Sequence, residues 1–213
     1  MYDLIVVGAG PAGAAAARAA AQQGLKTLLV EKDHIPRNKL CGGGVTTKVL
    51  KLLDFGLPNE LVECAPRSTR IHVADSCYPF ETNSTLVYMT SRTNFDAYLT
   101  EKAVEAGAEL KDGKPVHAIN QTGSDIEVKT PGQSFHSKLL IGADGMGGPT
   151  ARAARLYDHW KPNQVAYAIE SEVPVGEKAV QGKVQKRLVE LSYTLTGRIP
   201  DGLLFRVSSI DPD

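Results

Sequence analysis

Four groups of residues in this chain have the types and spacing to do chemistry. Gly8, Gly10 and Gly13 form a GxGxxG turn in "VVGAGPAGAAA", with Pro11 and Ala12 between the last two glycines. Such a turn gathers backbone N–H groups, and a helix that follows adds the positive end of its dipole, so the pair is an anion cradle. Glu31 follows the apolar run in "KTLLVEK", near the spacing of about 20 residues at which an acid meets ribose hydroxyls. Cys41 stands in "RNKLCGGGVTTKVL" directly before Gly42, Gly43 and Gly44, a thiol beside residues without side chains. Asp144 and Gly145 close "LLIGADG", where the acid can accept hydroxyl hydrogen bonds and the glycine lets backbone approach a ligand.

The first two groups need a strand, a helix and a second strand to meet. Leu4 to Val7 are a continuous apolar run, as expected of a parallel strand buried on both faces. An alanine-rich helix is predicted from Ala12 to Gln23, stopped by Gly24. A second buried strand, Thr27 to Val30, delivers Glu31. In this context the first glycine permits the tight turn and the second lets backbone approach a pyrophosphate. The third lets the helix pack closely on the sheet. The residues therefore predict a dinucleotide site. Glu31 would repel a 2′-phosphate, and FAD and NAD both fit.

Composition excludes several classes. The chain has 213 residues, 42% hydrophobic and 23% charged, with Lys+Arg 24 against Asp+Glu 24. A net charge of zero gives no electrostatic reason for a nucleic-acid partner. The apolar stretch is broken by Arg18 and Gln22, short of the roughly 20 residues that span a bilayer. No basic region precedes an apolar one as in a secretory signal, so the expected location is cytoplasmic. Cys41, Cys64 and Cys77 form no CxxC pair and read as reduced thiols. The histidines show no metal-ligand spacing, and no metal site is expected.

Further along, "TSRTNFDAYLTEKAVEAGAEL" predicts a helix with Phe95, Leu99 and Val104 on one face. Asn94 is its expected N-cap, Gly107 its C-cap, and Arg92 lies just before its start. Lys114 to Asn120, Ile126 to Lys129 and Ser134 to Lys138 predict a three-stranded antiparallel meander, with Leu139 to Ile141 as a separate buried strand.

"DLIVVGAGPAGAAAARAAA", then "EK", then "KLCGGGV" resemble the geranylgeranyl reductase family of flavoproteins, whose FAD fold is shared with para-hydroxybenzoate hydroxylase. The resemblance runs to about Trp160. It implies an α/β fold class: a Rossmann-like FAD-binding domain, three-layered, with a parallel sheet and an antiparallel β-meander, plus part of a β-rich substrate domain. The implied boundaries are 1–62 with 91–158 for the FAD domain, and 63–90 with 159–213 for the substrate domain. It extends the FAD contacts to Lys32, Cys41, Gly42, Gly43, Arg92, Val116, Asp144 and Gly145. Arg92 can equally be a surface arginine near a helix end, and Asp144–Gly145 a polar strand-to-helix turn. The family's serine after the Asp-Gly pair falls at Gly148, and its arginine falls one place late, at Arg152, or else Thr150 stands in.

The implied reaction is reduction of prenyl carbon–carbon double bonds: reduced flavin delivers hydride, and NADPH or another donor supplies the electrons. A proton must reach the other alkene carbon, and Cys41 is the candidate acid, since an ordinary thiol is protonated at neutral pH. The bland alternative is that Cys41 only packs. A prenyl-lipid substrate would also bring peripheral membrane contact. The rival enzyme is an FAD-dependent aromatic monooxygenase.

From Trp160 onward "QVAYAIESEVPVG" and "KVQKRLVELSYTL" predict strands of a second, antiparallel sheet. The family's YxWxFP and later GDA-type motifs are missing where "LLFRVSSIDPD" stands. A truncation, or a reading-frame change after Gly202, is the corresponding expectation. Ile169, Val173, Leu188 and Leu191 would then lack covering elements. A flavin-binding remnant, or a module that needs a second chain, follows as the non-enzymatic alternative.

Overall fold

The computed structural model describes residues 1–73, 76–156, 159–161, 164–165, 188–194 and 202–207. Its strands are β1 (Tyr2–Val7), β2 (Thr27–Val30), β3 (Gly44–Thr46), β4 (Ser68–Val73), β5 (Ser76–Glu81) and β6 (Val87–Met89). They continue with β7 (Glu109–Lys111), β8 (Ala118–Thr122), β9 (Asp125–Thr130), β10 (Gln133–Gly142), β11 (Leu188–Thr194) and β12 (Gly202–Val207). The helices are α1 (Pro11–Gln22), α2 (Thr47–Leu50), α3 (Arg92–Glu105) and α4 (Thr150–Ala153). The chain divides into two compact units, Met1–Lys39 with Thr93–Ala168, and Leu40–Arg92 with Ile169–Asp213.

The first unit is built on one six-stranded sheet in the order β7-β2-β1-β10-β9-β8. β1 pairs in parallel with β2 and β10, and β2 with β7, so the centre is a buried parallel sheet. That is why Leu4–Val7 and Thr27–Val30 read as unbroken runs rather than alternating ones. Leu4, Val6 and Leu29 face Ala17 of α1 and Ala103 of α3 in one core cluster. Ile5, Val7, Leu28 and Val30 form the opposite cluster with Val128 and Phe135 from the meander. Small alanines on α1 allow close approach to the sheet.

The meander is not a separate sheet. The predicted strand at Leu139 to Ile141 and the last meander strand are one element, β10, and Leu139 and Ile141 are exposed on it rather than buried as expected. Its first half pairs antiparallel with β9 and its second half parallel with β1. One long strand thus carries the meander to the second face of the parallel sheet. The helix α3 begins at Arg92, so Arg92 is its first residue and Asn94 lies in the first turn rather than at the N-cap. Gly107 ends the segment as expected, at φ +105°, with Ala108 N donating to Ala103 O.

In the second unit a four-stranded sheet runs β12-β11-β4-β5, and β3 pairs with β6. The sheet is mixed: β11 is parallel to β4 and antiparallel to β12, where an antiparallel sheet was expected. The two parallel strands lie far apart in sequence, so no hairpin constrains their direction. Residues 40–62, expected with the FAD domain, cluster here because Gly44–Thr46 hydrogen-bonds along Val87–Met89. The strand expected in "QVAYAIESEVPVG" lies outside the described residues except at its start, as do the side chains of Ile169, Val173, Leu188 and Leu191. Among the described residues no helix is long and apolar enough to cross a membrane.

Leu29 is fully buried in the first core cluster. Leu29→Ala should lower unfolding free energy by about 2–5 kcal/mol in urea titration, because the surrounding strands cannot collapse onto the space.

Candidate functional site

The glycine turn is locked by backbone contacts. β1 ends at Val7, and Gly8 turns at φ +99° with its N–H donating to Val30 O at 2.7 Å. A side chain on Gly13 would run into the Gly8 carbonyl, and one on Gly8 into the Ala143 carbonyl. Both glycines are needed for close packing inside the protein. Gly10 is different: a Cβ there would meet only the Arg37 guanidinium, at 3.7 Å, so its backbone faces open space.

The 12-residue helix α1 follows with Pro11 in its first turn, no acid in that turn and no side-chain cap at Gly10. Pro11 is half-buried and Ala12 exposed. The first-turn N–H groups of such a helix have no intrahelical acceptor and carry the positive end of the dipole. The arrangement fits a diphosphate. At the end of β2, Glu31 is 4% exposed. Its Oε2 accepts from Ala9 N at 2.6 Å, and its Oε1 from Asp33 N at 3.2 Å. The acid is thus tied to the turn it serves, while Lys32 beside it is exposed.

Asp144 follows β10 on the same unit. Its Oδ2 accepts from Thr150 N at 2.8 Å and also from the Thr150 hydroxyl. Thr150 opens α4, so Asp144 caps that helix through one oxygen, and Oδ1 is the atom left for a ligand hydroxyl. A side chain on Gly148 would run into the Asp144 carboxylate. The departure from the family's serine therefore has a local reason: glycine clears the space, and Thr150 supplies the hydroxyl. Gly145 turns at φ +73° with open space around it, so its backbone conformation accounts for the glycine. Val116 is partly buried and packs against the second core cluster.

Cys41, Gly42, Gly43 and Arg92 belong to the second unit. Cys41 is exposed. Gly43 is buried at φ +67°, its carbonyl accepts from both Thr90 N and Thr90 Oγ1, and a Cβ on it would overlap the Thr90 carbonyl. Gly44 pairs with Met89. The glycines thus seat the loop against Thr90 and Met89, a demand that accounts for Gly43 without a ligand.

The sequence reading missed Arg37 and Asp96. The Arg37 guanidinium lies 3.6 Å from Glu31 Oε1 and 3.2 Å from Asp96 Oδ2, with both acids buried and the Arg37 side chain 11% exposed. One signal was legible: Asp96 shares the buried stripe of α3 with Leu99, Thr100 and Ala103, and a buried acid needs a cation.

A family model described as an FAD binding domain matches residues 1–173. The chain belongs to the FAD-binding domain family. Among curated relatives, it is 33% identical to digeranylgeranylglycerophospholipid reductase 1 of Methanococcoides burtonii, over 77% of this chain and 42% of that protein. It is 34% identical to geranylgeranyl diphosphate reductase of Rhodobacter capsulatus, over 68% of this chain and 37% of that protein. A solved geranylgeranyl bacteriochlorophyll reductase-like protein from Thermoplasma acidophilum superposes with TM-score 0.76 at 22% identity, covering 99% of this chain and 54% of that one. This family member spans about half or less of those proteins' lengths. At 17% identity and TM-score 0.59 the halogenase PltM shares the fold as well, so fold does not choose the chemistry.

The family member's Asp144–Thr150 link gives a test. Thr150→Val should weaken FAD binding about tenfold in a fluorescence titration, by freeing the carboxylate, while Thr150→Ser keeps it. Gly13→Val should abolish FAD binding outright, since its side chain has no space beside Gly8.

Proposed function

We propose that this chain binds FAD for a reductase that acts on prenyl carbon–carbon double bonds, with a geranylgeranyl lipid as substrate class. The observation that carries the reading is the pair of relatives named digeranylgeranylglycerophospholipid reductase 1 and geranylgeranyl diphosphate reductase, at 33% and 34% identity. Bound FAD in its reduced form supplies the hydride that such a reduction requires.

The chain's own residues divide the remaining work. The Gly8–Gly13 turn and the first turn of α1 take the diphosphate, and Glu31 takes the ribose hydroxyls. Asp144 offers Oδ1 to a further hydroxyl of the ligand. Cys41 is the proposed proton donor, and its exposure among the described residues keeps the thiol accessible to a second molecule. Gly43, fixed against Thr90, holds the backbone that carries it. A reduced nicotinamide, NADPH, or another donor restores the reduced cofactor. A prenyl lipid would draw an otherwise cytoplasmic protein to the membrane surface. The activity is proposed for the protein as its longer relatives display it. A second chain is the proposed partner if this one acts alone only as a flavin binder.

Two measurements test the reading. The purified chain given FAD should turn yellow and retain the flavin spectrum through gel filtration; a chain that stays colourless after reconstitution overturns it. With a chemical reductant and a geranylgeranyl lipid, mass spectrometry should show addition of two hydrogens per reduced bond. Cys41→Ser should keep flavin and lose about a hundredfold or more in turnover, the usual scale for a positioned acid. Oxygen consumption with a hydroxylated product would instead identify a monooxygenase.

A further inference from the structure

Arg37 sits between two carboxylates that have almost no access to water. Its Nη2 is 3.2 Å from Asp96 Oδ2 and its Nε 3.6 Å from Glu31 Oε1, and the side chains of Arg37, Asp96 and Glu31 are 11%, 1% and 4% exposed. A buried carboxylate without a countercharge is strongly disfavoured, so one guanidinium is serving two acids. Its planar fork can address both at once in fixed directions, which an ammonium cannot. The Arg37 Nε is buried and makes no hydrogen bond. Its pull on Glu31 Oε1 is therefore ionic, and the hydrogen bonds of Glu31 go to the Ala9 and Asp33 amides.

We infer that Arg37 is a positioning residue of the dinucleotide site. Anchored by Asp96 on α3, it holds the Glu31 carboxylate in the one orientation that ties down the Gly8–Gly10 turn and faces a ribose. Asp96 thereby acts on the site through Arg37, although it touches no ligand. The inference rests on the FAD reading only for the identity of that ligand.

The Arg37→Met/Asp96→Asn double variant tests it. Arg37→Met alone removes the cation facing two buried acids and should unfold at lower temperature, whatever the role of Arg37. The double variant removes one of those acids and returns the cluster to its native net charge, so its unfolding midpoint should recover in part, with Glu31 still lacking its cation. The Ala9 amide, however, should exchange with deuterium about tenfold faster than in the native chain, and the FAD dissociation constant should rise about tenfold. Recovery of exchange and affinity along with the midpoint would make Arg37 a structural ion pair only and overturn the inference. If the double variant stays destabilised, the Leu29 amide serves as reference: faster exchange at Ala9 alone supports the inference, and an equal rise at both overturns it. If the native chain binds no FAD but Ala9 exchange still rises, positioning stands and the FAD reading fails.

Discussion

Gly13 has no room for a side chain, and most of the first unit follows from that. The helix α1 lies so close to the turn before it that a Cβ on Gly13 would collide with the Gly8 carbonyl. Gly8 in turn is pressed against Ala143, just past the end of β10. At Gly8 and Gly13 the turn, the start of α1 and the end of β10 therefore meet backbone to backbone. This closeness places the first-turn amides of α1 directly beyond the ends of β1 and β2, where a parallel sheet presents its ligand crevice. It also brings Ala9 N within reach of Glu31 at the end of the next strand.

Charge is placed on that frame with little surplus. Glu31 and Asp96 are buried on either side of Arg37, and removing Arg37 takes away the cation that faces both acids. Asp144 is fixed from the other side by Thr150. Each acid that could meet a ligand hydroxyl is held by a donor from another part of the same unit, so the site is organised before a ligand arrives. Preorganisation of this kind lowers the entropic cost of binding. Gly148 leaves free the space that the Asp144 carboxylate occupies.

Much of this was legible in the sequence, for physical reasons that differ between elements. β2 was predicted to the residue, because a strand buried on both faces leaves an uninterrupted apolar run. α1 was displaced by one residue, since Pro11 is itself a good first helical position. The joining of the meander to the parallel sheet was not legible: Ser134–Lys138 alternates and Leu139–Ile141 does not, so one strand with two environments looked like two strands. The mixed second sheet was hidden because β4 and β11 find each other across more than a hundred residues. Arg37 was hidden by its neighbours, for "RNKLCGGG" is polar enough to read as a solvated loop. The glycines after Cys41 were read as clearance for a ring. At Gly43 the observed demand is the Thr90 backbone.

Membership of the FAD-binding family, an amide cradle and two acids fixed by neighbouring amides support one proposed claim: this chain holds FAD across the turn between β1 and α1. The most direct measurement is a crystal structure of the chain grown with FAD. The diphosphate should lie against the first-turn amides of α1, with a ribose hydroxyl on Glu31. FAD bound elsewhere, or a diphosphate remote from Gly10 with Glu31 still facing only Ala9, Asp33 and Arg37, would contradict it.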